Sequence, residues 1–299
     1  MATVLITGGT GTVGKRLTQL LIKKGYTVQV LSRSGKGYTW DPKKNEINPE
    51  AIQTADFIIH LAGAGVADQR WSDTRKKEIE ESRTQGSSLI ASALAKYPNK
   101  VQAVISASAI GWYGPDNDHN IPNGFKETDP AYSDFLGDTC KKWEQSIEAV
   151  NSLGIRLVIL RTGIVLSNEG GAFVEFKKPL KLNTAAILAT GQQVISWIHV
   201  DDLCNQYIYA IENTTMQGVY NAVAPNPVNN QTLTLAIARK LCPSFFIPFH
   251  VPAFVLKIVL GEMSIEILKS TTVNANKMLA AGFPFQYPTI DTAINELLQ

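Results

Sequence analysis

Thr3-Val4-Leu5-Ile6-Thr7-Gly8-Gly9-Thr10-Gly11-Thr12-Val13-Gly14 is an apolar run that ends in glycines spaced three apart, at Gly8, Gly11 and Gly14. Behind it Val13, Leu17, Leu20 and Leu21 recur at the spacing of one helical face, so the stretch reads strand, glycine loop, helix. Such a turn points backbone N–H groups at a phosphate, and the helix dipole favours the anion. Glycine is needed where a side chain would block the turn or the ligand. The strand before and the helix after turn a bare glycine triplet into a dinucleotide-binding fingerprint. A second motif overlaps it. Gly9, Gly14 and Lys15 match the opening of a triphosphate-binding loop, but Arg16 stands where Ser or Thr should hold magnesium, which sets that reading aside.

Working outward, the 299 residues suffice for one large domain or two, each able to bury a core. Hydrophobic residues at 44% and charged residues at 18% describe an ordinary globule. The formal charge is +2, and the basic run Arg75-Lys76-Lys77 is followed at once by Glu78, Glu80 and Glu81. The expectation is therefore no nucleic acid and no anionic membrane as partner. Cys140, Cys204 and Cys242 are far apart and not grouped with histidine, so neither a disulfide framework nor a metal site is expected. The sequence opens directly on its first strand, and its most apolar later stretch, Ala253 to Leu260, is short and broken by Lys257. These features predict a cytoplasmic protein without signal peptide or membrane span.

A second strand, Tyr26 to Leu31, ends in Ser32, Arg33 and Ser34. In dinucleotide folds a carboxylate here takes the ribose 2′-hydroxyl, whereas arginine accommodates a 2′-phosphate; with no carboxylate before Asp41, NADP is favoured over NAD. Asp56 to Leu61 reads as a third strand running into Ala62-Gly63-Ala64-Gly65, with His60 as a packed residue. A helix from about Thr74 to Lys96 carries Glu78 and Arg83. The fourth strand, Val101 to Ile105, opens into Ser106 to Gly114 and a long stretch rich in Pro, Gly, Asn and Asp. Ligands of open α/β sheets bind beyond the carboxyl ends of strands, and long loops there are usually functional, which makes Ser108 and Tyr113 candidates on the substrate side. Asp134 opens another helix, and Ile155 to Leu160 is a fifth strand followed by Arg161-Thr162-Gly163. Strands separated by helices imply right-handed βαβ crossovers and a parallel sheet.

Beyond Leu166 the pattern changes. Residues 167–195 read as irregular, Trp197 to Asp202 lead into a helix through Ile211 with Asp201 or Asp202 as its N-cap or as a ligand, Val219 to Val223 is a strand, and prolines separate helices after Pro225. The division predicted is a cofactor domain at 1–165, to which 196–223 returns, and a smaller substrate domain from 166–195 and 224–299.

Several motifs now stand together: Ile6 to Gly11, Leu61-Ala62-Gly63, Arg70-Trp71, Ser106 to Gly114, Leu160 to Leu166, Ser196 to Leu203, Asn221 to Pro225, Ala281-Gly282-Phe283 and Tyr287-Pro288. Spread over nearly the whole chain, they resemble the extended branch of the short-chain dehydrogenase/reductase superfamily. More specifically, they resemble its atypical NADP-binding group of sugar-nucleotide epimerases, whose C-terminal domain has no assigned function. The resemblance implies an α/β fold: a Rossmann-type doubly wound parallel sheet with a smaller, mostly helical C-terminal domain. It implies NADP as cofactor, held by Gly8, Gly11, Thr12, Val13, Gly14, Ser32, Arg33, Leu61, Ala62, Glu78, Arg83 and Arg161, and a small-molecule substrate that is polar or nucleotide-linked.

The usual chemistry of that superfamily uses a Ser or Thr for the substrate oxygen, and a Tyr followed four residues later by a Lys that helps lower the tyrosine pKa. Ser108 occupies the serine position, but none of the nine tyrosines has a lysine four residues on. Alignment of the helix before Glu144 puts Leu136 and Cys140 at the tyrosine and lysine positions. A further departure is Asn183-Thr184-Ala185-Ala186, where relatives are rich in glycine. Two expectations follow. One is an NADP(H)-dependent oxidoreductase or epimerase-like enzyme in which Ser108 binds the reacting oxygen and Tyr113, or failing it Tyr132, Asp138 or Lys141, relays the proton. The other is a non-catalytic NADP(H)-binding module that reports redox state to a protein partner. The oligomeric state has no signature in the sequence.

Overall fold

In the first strand, β1 (Thr3–Thr7), Val4 and Ile6 enter one apolar cluster and Leu5 enters another, all of them fully buried. A strand that is apolar on both faces needs a layer of structure on each side. One layer is α1 (Thr12–Lys23) with the helix Val200–Glu212, which contribute Leu17, Leu21, Leu203 and Ile208. The other is α2 (Pro49–Thr54), α3 (Asp73–Lys96) and α4 (Phe135–Ile147), which contribute Ile52, Ile90, Leu94 and Ile147. The computed structural model describes residues 1–33, 37–121 and 123–299; Ser34 lies outside them.

The remaining strands of the central sheet are β2 (Thr27–Ser32), β3 (Tyr38–Asp41), β4 (Glu46–Ile47), β5 (Phe57–His60), β6 (Ala103–Ala109), β7 (Arg156–Thr162) and an edge strand, Gly218–Ala222. Their spatial order is the edge strand, then β7, β6, β5, β1, β2, β3 and β4, and every pair is parallel except β3 with β4. From β1 the chain moves out to β2 and β3, then returns past β1 to β5. That reversal leaves a crevice at the carboxyl ends of β1 and β5, the usual ligand position in such sheets.

The structure departs from the sequence reading in four places. β6 runs four residues further than expected, to Ala109, because Ser106 to Ala109 stay paired with Ile159 to Thr162 of β7. Ser108 therefore sits on a strand and not in the loop. The hairpin of β3 and β4 was too short to give a periodic pattern. Residues 167–195 are not irregular: they hold the helix Ala172–Lys177 and the strands Thr184–Leu188 and Val194–Ile195. The first of these strands pairs in parallel with Ile247–Val251, and the second antiparallel with Val228–Asn229. Pairings between segments this distant leave no local trace. They cover a third apolar cluster that includes Leu166, Phe173, Trp197, Leu233, Ile237 and Ile294.

The fourth departure is at Asp201 and Asp202. The N-cap of the helix Val200–Glu212 is His199, whose Nδ1 accepts the Asp201 N–H at 3.1 Å. Asp201 instead accepts two hydrogen bonds from Arg16, at 2.6 and 2.7 Å, which ties that helix to α1. Asp202 accepts the N–H groups of Gln286 and Tyr287, each at 2.9 Å, and anchors the C-terminal segment. Among the described residues no helix is long and apolar enough to cross a membrane, and no group of three or more His, Cys, Asp or Glu is placed to hold a metal ion.

Candidate functional site

At the carboxyl ends of β1 and β5, backbone lies directly on backbone. Gly8 has φ +72°, and a Cβ there would stand 3.0 Å from the Ala62 nitrogen and from the Leu61 carbonyl carbon. A Cβ at Gly14 would run into the Gly8 carbonyl oxygen, so the first turn of α1 can sit under the loop only because that residue is glycine. A small polar cluster holds the approach. Thr7 Oγ1 accepts the N–H groups of Leu61 and Ala62, both at 3.1 Å, and lies 2.7 Å from His60 Nδ1. With both amides accepted, the threonine hydrogen goes to Nδ1, which leaves Nε2–H to face Ser87 Oγ at 3.1 Å. His60 is fully buried, and burial pushes its pKa down to about 3, so it is a neutral strut and not a base.

Over this junction opens a groove of about 640 Å³. Its walls are Gly8, Thr10 and Gly11 of the loop, Leu31 to Arg33 at the end of β2, Trp40 to Lys43 after β3, Leu61 to Ala64 after β5, and α3 residues including Thr74, Lys77, Glu78 and Gln85. Seven residues singled out from the sequence meet here: Gly8, Gly11, Ser32, Arg33, Leu61, Ala62 and Glu78. Trp40, Lys43 and Lys77 were not foreseen, because the short β3 and the outer face of α3 carry no motif. Thr12, Val13 and Gly14 form the first turn of α1, with Gly14 buried and Val13 packed on the sheet. Arg83 stands behind the wall. Its Nη1 donates to the carbonyls of Ala64 and Ile79 at 3.0 and 2.9 Å, and its guanidinium lies 5.0 Å from the Trp143 ring. Burial lowers its pKa, and Cys140 is among its neighbours.

Further along the same edge, at β6 and β7, the construction is different. Ser108 is buried, and its hydroxyl donates to Glu144 Oε1 at 2.7 Å. Glu144 receives Arg161 through Nε at 2.8 Å and Nη2 at 2.9 Å. Arg161 Nη1 donates in turn to the Tyr113 hydroxyl at 3.0 Å and to the Glu127 carbonyl at 3.1 Å, while its plane covers Trp112 at 3.6 Å. Tyr113 passes its own hydrogen to Asn221 Oδ1 at 2.7 Å. Burial alone would lower the Arg161 pKa, but its bonds to Glu144 outweigh this and raise it.

This geometry places two of the sequence candidates. Arg161 is turned into a buried ion pair with Glu144; side chains only 3% and 6% exposed need each other as counter-ions. Tyr113 is fully buried, and burial pushes its phenol up to about 12. On α4, which Asp134 caps through the Gly137 N–H at 2.8 Å, Leu136 and Cys140 pack against the end of β6. The Cys140 thiol donates to the Ala109 carbonyl at 3.6 Å, and burial pushes its pKa to about 12. Tyr132, Asp138 and Lys141 are exposed. Only the tertiary structure brings in Lys269, whose Nζ is near the Tyr113 carbonyl at 3.3 Å and Glu266 Oε1 at 3.0 Å. Asp116 accepts from Ser270, from Thr272 and from Asn120, fastening the long loop to the C-terminal segment.

Residues 4–222 match the NAD dependent epimerase/dehydratase family, and residues 251–297 match a domain of unknown function, DUF1731. An epimerase family protein of Staphylococcus haemolyticus is 32% identical over 304 residues, spanning 100% of this chain and 99% of that relative. The epimerase family protein YfhF of Bacillus subtilis is 32% identical over 302 residues, spanning 99% of this chain and 97% of its own. Among solved structures, human epimerase family protein SDR39U1 with NADPH superposes with a TM-score of 0.88 at 29% identity and 99% coverage of both chains. The nucleoside-diphosphate sugar epimerase from Corynebacterium glutamicum gives a TM-score of 0.78 at 30% identity, covering 99% of this chain and 58% of that one.

Proposed function

The chain belongs to the NAD dependent epimerase/dehydratase family, and from that premise we propose an NADP(H)-binding oxidoreductase or epimerase-like enzyme that acts on a small polar or nucleotide-linked substrate. The observation that carries this reading is the glycine cradle, which a Cβ at Gly8 or Gly14 would fill, opening onto a groove whose β2 end offers Ser32 and the exposed Arg33. These residues fit a phosphorylated dinucleotide: amides of the α1 first turn for the pyrophosphate, and a guanidinium for a 2′-phosphate. A human relative of this chain has been solved with NADPH, which supports the same cofactor. Residues 1–165 with 196–223 form the cofactor domain in this reading, and 166–195 with 224–299 shape the substrate side.

Once bound, NADP(H) supplies hydride transfer at the nicotinamide. The chain's own part is to hold and polarise. Leu61, Ala62 and Glu78 line the wall opposite the loop, and Arg83, beside Cys140, provides a fixed cation near the place of the missing lysine. A guanidinium stays charged at neutral pH, so Arg83 stabilises charge and does not relay protons. Ser108 Oγ, its own hydrogen held by Glu144, accepts the hydrogen of a substrate hydroxyl. The test is turnover of a panel of carbonyl compounds and nucleotide-linked sugars with NADPH. Turnover that Ser108→Ala abolishes while NADPH affinity holds supports the enzyme; bound cofactor without turnover across the panel overturns it.

One observation favours a second reading, a cofactor-binding module that reports redox state. The tyrosine nearest Ser108 in the network, Tyr113, is locked in hydrogen bonds. A protein partner that binds the NADP⁺ and NADPH forms with different affinity supports that module, and equal affinity removes it, since a ligand without differential affinity shifts no equilibrium.

A further inference from the structure

β3 lies beside β2 in parallel, with Ser32 level with Thr39, so the carboxyl ends of the two strands open onto the same end of the groove. Arg33 leaves β2 there, and Lys43 sits in the single helical turn Pro42–Lys44 that follows β3. That turn is well built. Asp41 caps it by accepting the Lys43 N–H at 3.1 Å, proline starts it, and Asn45 closes it at φ +56°. Trp40, 7% exposed, anchors it to the core. Among the described residues neither Arg33 nor Lys43 forms an ion pair, whereas Lys77 across the groove already faces Glu81 at 3.7 Å.

We propose that Lys43 is a second specificity-determining cation of this groove, closing with Arg33 on the 2′-phosphate of NADP(H); the inference rests on the NADP reading above. A phosphate monoester carries close to two negative charges at neutral pH, more than one guanidinium neutralises. Asp41, the first carboxylate after β2, stands at the end of β3; its Oδ1 serves the cap and its Oδ2 lies 3.9 Å from Lys44 Nζ. The acid thus builds the turn that presents the lysine.

The experiment is a set of binding titrations with NADPH, NADH, 2′,5′-ADP and 5′-AMP on wild type, Lys43→Gln, Lys43→Glu and Asp41→Asn. Lys43→Gln weakens NADPH and 2′,5′-ADP by about 1.5- to 5-fold, the range of an exposed charge pair, with NADH and 5′-AMP unchanged. Lys43→Glu weakens them further. Asp41→Asn keeps the capping oxygen and leaves NADH binding intact. Unchanged NADPH affinity in Lys43→Glu, or an equal loss for NADH, overturns the role of Lys43, and a loss of NADH binding in Asp41→Asn assigns the ribose to Asp41 instead. A wild type that binds NADPH and NADH equally overturns the NADP reading itself.

Discussion

At β1 and β5 the ligand edge of the sheet is shaped by backbone pressed on backbone, with Thr7 and a neutral His60 holding the approach and charged side chains left facing the groove. At β6 and β7, on the same edge, Ser108, Glu144, Arg161, Tyr113 and Asn221 spend their hydrogen bonds on one another, away from solvent. The first arrangement stays available to a ligand. The second gives up most of its titratable chemistry to stability, since a buried charge left unpaired is very costly. The two regions thus differ in how many polar side chains they leave facing open space.

The contrast is tested hardest by Glu144→Ala, which strands Arg161 in the interior. Denaturant titration is expected to show a loss of about 3–5 kcal/mol. A loss under about 1 kcal/mol would mean that the network is not the structural unit described. At the other end, Gly14→Val drives a side chain into the Gly8 carbonyl; a stability loss of about 1–3 kcal/mol should accompany a fall in NADPH affinity of at least about tenfold. Unimpaired binding would show that the cradle does not hold the cofactor.

His60 sharpens the comparison through pH. Its pKa drops from 6.5 to about 3 on folding, so the unfolded chain binds the extra proton between these values. The stability this neutral strut contributes is complete above about pH 6.5 and is lost as pH falls toward 3, with a slope of about 1.4 kcal/mol per pH unit. Unfolding midpoints measured from pH 7 to 4 should fall less steeply in His60→Gln than in wild type; parallel slopes would remove the assignment. The smallest effect is expected for Ser108→Ala, about 1.5 kcal/mol from one lost hydrogen bond to the carboxylate of Glu144, read by thermal unfolding. A much larger loss would move Ser108 from the chemistry into the scaffold.

How much was legible in the sequence follows from range. Gly8, Gly11, Gly14 and the apolar periods of β1 and α1 are local patterns, and Arg33 is placed by the end of its own strand, so the glycine loop and the arginine beside it were readable from short stretches. The absence of the tyrosine and lysine pair was readable too, by counting. By contrast, Lys43 depends on a strand too short to show a period, and Lys269 reaches Tyr113 across 156 positions of sequence. Arg161 and Tyr113 looked like functional residues on sequence position alone, and only the folded chain gave them Glu144 and Asn221 as partners. By itself, then, the sequence determined the periodic elements and the loop between them, where neighbours along the chain are neighbours in space. The tertiary structure decided which polar side chains remain free, because burial and pairing are properties of segments that meet only after the chain has folded.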